Sequence, residues 1–366
     1  MTQQFWPAWL PLRKDLLELS AYGAPQISAI ARLNTNENPY SLSPELVDAL
    51  VVRVGEIAST LNRYPDRDAL ALRESLAIFL NELSGTDLTL ENVWAANGSN
   101  EIIQSLFLAF GEGTALGFTP SYSMHPLIAR VTRTPWIEGE RSPDFSIDIA
   151  KAVEQIRTHS PRLTFVTTPN NPTGTSVSLD EISELASAVG EIGGLLVVDE
   201  AYAEFSSLPS AITLIRKFPH LVVIRTMSKA FAFAGARIGY LAANPEVVSA
   251  LLLVRLPYHL SSLTQAAGLV ALQYRSGSLA TVDALRNDRE SLAQELSSMG
   301  IQVVPSAANF LLFSVGDPKK VWTDLLEKGV LIRDVGLSGY LRVTIGTPQE
   351  NALFVEALRS SIGGKE

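Results

Sequence analysis

The sequence predicts an α/β protein: a large domain with a mainly parallel sheet between helices, followed by a smaller α+β domain. Two observations carry this expectation. Short, wholly apolar runs at 195–198 and 221–224 alternate with helical patterns, and continuous apolar strands belong to sheets covered on both faces. Beyond about residue 300 the order changes to strand, strand, helix, strand, helix, which marks a separate α+β unit.

In chain order, the first 40 residues show no periodic pattern and are expected to drape over a domain. Residues 93–96 read as a strand, followed by a helix from Asn100 to about Phe110. Residues 163–168 form the next strand, with a turn and a helix starting near Leu179. Two buried strands follow at 195–199 and 221–224. A helical stretch rich in Ala, Leu and charged residues covers about 261–298. Residues 301–305 and 309–313 read as strands, 318–328 as a helix, 341–345 as a strand with alternating faces, and 349–361 as a closing helix. The expected division is an N-terminal segment (1–40) packing on the small domain and a dimer partner, a large domain (41–265) and a small domain (266–366).

Composition narrows the function classes. The chain has 366 residues, 46% hydrophobic and 18% charged, as in a globular protein. A formal net charge of −9 argues against a nucleic-acid surface, which needs a basic face. No apolar run reaches the roughly 18 residues of a membrane span. With no cysteine there is no disulfide frame, thiolate metal site or cysteine nucleophile, and the four histidines lack ligand spacing. No metal site is expected. Met1 to Pro7 lacks the basic and apolar regions of a signal peptide, so a cytoplasmic location is expected.

The residues suited to chemistry sit where strands end. Ser228-Lys229 follows the 221–224 run, with Arg237 eight positions on. An ammonium is disfavoured there, and burial promotes the neutral, nucleophilic amine that imine chemistry needs. Alone, an S-K pair is usually a loop lysine, but this one has company. Asn97-Gly98-Ser99-Asn100-Glu101 follows the 93–96 strand; Gly98 allows close backbone approach, Ser99 or Asn100 is expected to cap the helix, and the helix start offers an anion site. Pro169-Asn170-Asn171-Pro172-Thr173-Gly174 is a rigid loop able to hold an amide still. Asp199 ends an apolar strand, where a carboxylate needs a partner such as a cationic ring nitrogen, and Tyr202 lies three residues on. An amine, an anion cup, a buried carboxylate and a fixed amide together describe a pyridoxal phosphate site.

On these motifs the sequence resembles the fold-type I, class-II pyridoxal phosphate aminotransferases, whose large domain holds a seven-stranded sheet. Leu33-Asn34-Thr35-Asn36-Glu37-Asn38-Pro39-Tyr40, Arg63-Tyr64-Pro65-Asp66, Pro120-Ser121-Tyr122-Ser123-Met124 and Leu341-Arg342-Val343-Thr344-Ile345-Gly346 narrow it to the histidinol-phosphate aminotransferase group. The resemblance runs from about residue 10 to 360. It implies pyridoxal 5'-phosphate as cofactor and Lys229 as its covalent anchor and proton carrier. Asp199 would face the ring nitrogen, Asn171 and Tyr202 the ring 3'-oxygen, and Tyr122 the ring face. Ser99, Asn100, Ser228 and Arg237 would hold the cofactor phosphate, and Tyr64 would reach it from the second subunit of a homodimer.

Arg342, helped by Arg333 and closed over by Tyr22, would meet the substrate anion, with Asn38 also on the substrate side. Asn36 and Asn309 would line the cleft or fix loops, and His125 would neighbour the Tyr122 turn. The implied reaction moves an amino group between L-histidinol phosphate and 2-oxoglutarate, giving glutamate, in histidine biosynthesis. A guanidinium fork can serve both phosphate and carboxylate. The alternative is an aromatic amino-acid aminotransferase of the same group, which shares the cofactor motifs.

Overall fold

A computed structural model describes residues 6–21 and 23–362. The chain passes through a two-residue strand, β1 (Ala31–Arg32), into helices α1 (Pro44–Ala58) and α2 (Leu70–Ser84). Helix α1 starts as its residues dictate: the Ser43 hydroxyl accepts the Leu46 N–H at 3.3 Å, and Pro44 takes the first turn, where no donor is needed.

The central sheet is then laid down as β2 (Val93–Ala96), β3 (Ala115–Thr119), β4 (Trp136–Glu140), β5 (Leu163–Thr167), β6 (Leu195–Asp199), β7 (Leu221–Thr226) and β8 (Gly239–Ala242). Between these strands lie α3 (Ser99–Phe110), α4 (Met124–Thr132), α5 (Ile149–His159) and α6 (Leu179–Glu191). The strand order is β2-β8-β7-β6-β5-β3-β4, seven strands with β8 alone running against the rest. Period-2 alternation sends neighbouring residues to opposite faces. Val197, Val222 and Ile224 join a core with Ile102, Leu106 and Ile128 from α3 and α4. Leu196, Val198 and Val223 face a second core with Ile182 and Leu185 from α6. Both faces are dry, which is why these strands read as unbroken apolar runs. Below their ends Arg225 is buried against Glu200 at 3.1 Å and Glu204 at 3.0 Å, tying β7 to the chain leaving β6.

Helices α7 (Pro245–Val254), α8 (Ser262–Gln273) and α9 (Arg275–Ser298) follow. The helical stretch expected over 261–298 is thus two helices, parted at Tyr274, where φ −102° and ψ 23° leave the helical region. The remaining elements are β9 (Phe310–Ser314), α10 (Pro318–Glu327), β10 (Val330–Leu331), β11 (Tyr340–Thr344) and α11 (Pro348–Ile362). The strand expected at 301–305 shrinks to a single bridge, Val303 to Phe313, because at the next ladder position the Ser306 hydroxyl, at 2.7 Å, takes Phe310 O. Strand β11 pairs antiparallel with β9, and its two faces meet core and cavity rather than core and water: Leu341 and Val343 are core, while Arg342 is 6% exposed and lines the cavity described below. The N-terminal segment is stitched here, since β1 pairs parallel with β10 and the Thr344 N–H donates to Leu33 O at 2.9 Å.

Candidate active site

The carboxyl ends of β2, β3, β5, β6 and β7 all deliver residues to one cavity of about 610 Å³, as expected for ligands in open α/β sheets. Lys229 comes off β7 just past Thr226, whose hydroxyl accepts the Ser228 N–H at 3.1 Å and sets the turn. Its Nζ donates to Thr35 O at 2.9 Å. Burial first and then the Arg342 guanidinium bring the amine down to about pKa 8; Glu37 pulls the other way, and Arg237 adds a smaller lowering. Covalent capture of an added aldehyde by the apoprotein should therefore reach half its limiting rate near pH 8 instead of near 10.4. Stopped-flow absorbance from pH 6 to 11 measures this, and a midpoint near 10 would contradict a buried amine.

An anion cup forms where α3 begins. Gly98 stands at the cap position with φ 83°, and no side chain caps the helix; neither Ser99 nor Asn100 does so, contrary to the sequence expectation. They are the first helical residues instead, and their N–H groups belong to a first turn that has no intrahelical acceptors. Arg237 closes the cup, its Nη1 donating to Ser228 Oγ at 3.4 Å. A β-carbon on Gly98 would lie 2.5 Å from Arg237 Nη2, so the guanidinium can rest there only against glycine. The Tyr122 hydroxyl donates to Asn100 Oδ1 at 3.1 Å.

Elsewhere in the cavity Asp199 is 2% exposed. Its Oδ1 accepts the Ala201 N–H at 3.2 Å, and its Oδ2 accepts from His125 Nε2 at 3.2 Å. The Tyr202 oxygen accepts from Asn171 Nδ2 at 3.3 Å and from Asn36 Nδ2 at 2.9 Å. Arg342 donates to Asn171 Oδ1 at 2.6 Å and to Asn34 O at 2.8 Å, with its guanidinium over the Phe310 ring. Arg333 lines the same cavity, joined to Arg342 through paired backbone hydrogen bonds of 2.9 and 3.0 Å.

The structure therefore gathers Ser99, Asn100, Tyr122, Asn171, Asp199, Tyr202, Ser228, Lys229, Arg237, Arg333 and Arg342 around one space. Three other expected residues are not among them. Asn38 does not line it: its amide is spent on Ala230 O and Thr281 Oγ1, and its Oδ1 on the Tyr40 N–H, so it fixes a loop. Tyr64 is 80% exposed and stacks on Tyr258 at 4.4 Å, outside the cavity of its own chain. Tyr22 lies outside the described residues. Conversely, the bond from His125 to Asp199 has no signal in the sequence beyond the place of His125 three residues after Tyr122. Among the described residues no cluster of His, Asp and Glu could hold a metal ion, and no helix is long and apolar enough to cross a membrane.

A family model, aminotransferase class I and II, matches residues 28–358. Histidinol-phosphate aminotransferase of Mycolicibacterium vanbaalenii is 55% identical over 353 residues, covering 95% of this chain and 95% of that protein. The enzyme of the same name from Corynebacterium glutamicum (strain R) is 53% identical over 352 residues, again 95% of each. Among solved structures, the histidinol-phosphate aminotransferase of Sinorhizobium meliloti in complex with pyridoxal-5'-phosphate superposes with a TM-score of 0.85 over 98% of this chain and 99% of that one, at 22% identity, and so shares the fold.

Proposed function

The chain belongs to the class I and II aminotransferases, and from that premise we propose that it is a pyridoxal phosphate-dependent histidinol-phosphate aminotransferase. It moves the amino group between L-histidinol phosphate and 2-oxoglutarate. What carries the reading is a single cavity that holds a lysine of pKa about 8 together with cationic groups on two different elements, Arg237 beside Ser228 and Arg342 beside Arg333. One cation suits the cofactor phosphate and the other the substrate anion.

The residues fit the cofactor group by group. The cup at Ser99, Asn100, Ser228 and Arg237 suits its phosphate, the Lys229 amine its aldehyde, and buried Asp199 a cationic ring nitrogen. Asn171 and Tyr202 offer polar contacts for its phenolic oxygen, and Tyr122 offers a ring for its face. When bound, that group supplies an electron sink for the bond broken at the substrate carbon. With that group bound, Lys229 Nζ would accept the proton from that carbon and hold it, a role that suits an amine poised near working pH. Arg342 and Arg333 orient the anionic end, phosphate in one half of the cycle and carboxylate in the other.

The discriminating measurement is kcat/KM for histidinol phosphate and for phenylalanine, each with 2-oxoglutarate. Histidinol phosphate should give the higher kcat/KM, because its phosphate offers the Arg342 and Arg333 guanidinium groups more charge and more acceptor oxygens than the single carboxylate of phenylalanine. Phenylalanine turned over as well or better would reassign the chain to the aromatic aminotransferases.

The chain works as a homodimer with shared sites. Exposed apolar side chains gather on α1 (Val47, Val51, Val54) and in the stretch holding Leu253, Leu256 and Tyr258, where Tyr64 stacks. Arg255 donates to Arg67 O at 2.6 Å and keeps that stretch against the Tyr64 segment. A second copy on this face would bring Tyr64 toward the other chain's phosphate cup. Unfolding and refolding a 1:1 mixture of Lys229→Ala and Tyr64→Ala chains should then restore about a quarter of wild-type activity, because half the dimers are mixed and each has one intact site. Activity no higher than that of the separate variants would refute sharing.

A further inference from the structure

We propose that Asn36 is a positioning residue for Tyr202, fixing the direction of the phenol's hydrogen bonds and linking it to the strand that carries Arg342. The proposal deepens the reading above and rests on it. Asn36 is 1% exposed, with φ 55°, a left-handed conformation that asparagine tolerates better than most residues. It sits in the N-terminal segment but bonds to two distant parts of the chain. Its N–H donates to Thr344 Oγ1 at 3.0 Å, and the Thr344 hydroxyl donates back to Asn36 Oδ1 at 3.0 Å. Its carbonyl accepts from Asn309 Nδ2 at 3.1 Å.

These bonds set the polarity of the amide. With Oδ1 taken by the Thr344 hydroxyl, Nδ2 is the end presented to Tyr202, and it donates to the phenol oxygen at 2.9 Å. Asn171 Nδ2 donates to the same oxygen at 3.3 Å. A phenol oxygen has two acceptor positions and one proton. Two amide donors on it direct that proton away from both amides and make the phenol a stronger donor. The circuit then closes on itself. Asn171 is held through Oδ1 by Arg342 at 2.6 Å, and Arg342 lies two residues from Thr344 on β11. An anion that engages Arg342 would thereby act on the amide that polarises the phenol. Asn36 is the member of this circuit that also anchors the N-terminal segment.

The test compares Asn36→Asp, which keeps shape and backbone tolerance but has no donor, with Asn36→Gly, which keeps the positive φ and removes the side chain. Lys229, Asp199, Glu37, Asp334 and the cavity arginines stay unchanged in both. With pyridoxal phosphate bound, the pH midpoint of the visible absorbance change should rise by about half to one unit in Asn36→Asp, and the cofactor Kd by about fivefold. Asn36→Gly should move both in the same direction by less, and carries the test if Asn36→Asp does not fold. In a Tyr202→Phe background neither substitution should move the midpoint further, because Asn36 acts through the phenol. A lowered thermal midpoint of the apoprotein with an unmoved absorbance midpoint would make Asn36 merely structural and overturn the proposal. So would a shift that persists without the phenol. A wild-type chain that gains no visible band with pyridoxal phosphate would overturn the functional reading itself, an outcome distinct from a coloured wild type whose variants do not shift.

Discussion

Replacing Lys229 by alanine should leave a protein that binds pyridoxal phosphate without capturing it, and should lower kcat/KM by about 10²- to 10⁴-fold, the contribution of a positioned acid–base group. The loss is large because one atom has two roles. Lys229 Nζ is the amine in the cavity with a pKa brought down to about 8, so no neighbouring side chain can take its place as both nucleophile and proton carrier. Borohydride treatment followed by mass spectrometry checks the first role: the wild type should retain the cofactor mass on Lys229 and the variant should not. The same burial predicts a stability effect of opposite sign. The folded chain loses this proton near pH 8 and the unfolded chain near 10.5, so the unfolded state binds more protons between those values and stability rises with pH across that window. Below pH 8 the cost of burying the ammonium is fully present. The apo Lys229→Met chain should therefore have a higher Tm than the apo wild type at pH 7, with the gap closing toward pH 10.5. A variant of equal or lower Tm at pH 7 would mean that the lysine carries no such strain.

The strands at the centre of the sheet could be read from sequence because both their faces are dry. Every residue of β6 and β7 except the first of β6 is buried, and up to Asp199, Arg225 and Thr226 at their carboxyl ends the side chains that fill both cores are apolar. Strands β3, β4 and β8 were not legible, whereas β2, at one edge of the same sheet, read as a strand over 93–96. Strand β3 contains Gly117, whose β-carbon would lie 2.4 Å from the Trp136 ring on β4. The close cross-strand contact requires the residue that weakens the strand signal. The cavity residues followed the same division. Asp199 ends β6, and Lys229 and Asn171 stand within four residues of the ends of β7 and β5, where position in sequence is position in space. Asn36 and His125 owe their roles to partners 166 and 74 residues away, and a single sequence carries no trace of those distances. Asn38 shares a motif with Asn36, yet its side chain turns from the cavity to Ala230 and Thr281, a choice made by tertiary packing alone.

Asp199→Asn should cost about as much as losing a buried ion pair, on the order of 4 kcal/mol, or about a thousandfold in kcat/KM. The substitution is nearly isosteric. The side-chain oxygen can still accept the Ala201 N–H or the proton on His125 Nε2, so the turn after β6 and the fold should survive. What goes is the negative charge, enclosed where little water can replace it. A buried carboxylate with two hydrogen bonds from the protein is held ready for a cation, and the ring nitrogen of the cofactor is the cation the proposed reaction brings. His125→Asn tests the other half of the arrangement. It weakens one hydrogen bond to Asp199 but leaves the charge, so its cost should be nearer tenfold. If Asp199→Asn still bound pyridoxal phosphate and lost less than about tenfold in kcat/KM, the carboxylate would not face the ring nitrogen. The pair with His125 would then serve only to join β6 to α4. The ratio of the two effects separates a charge that acts on the cofactor from a hydrogen bond that holds the scaffold.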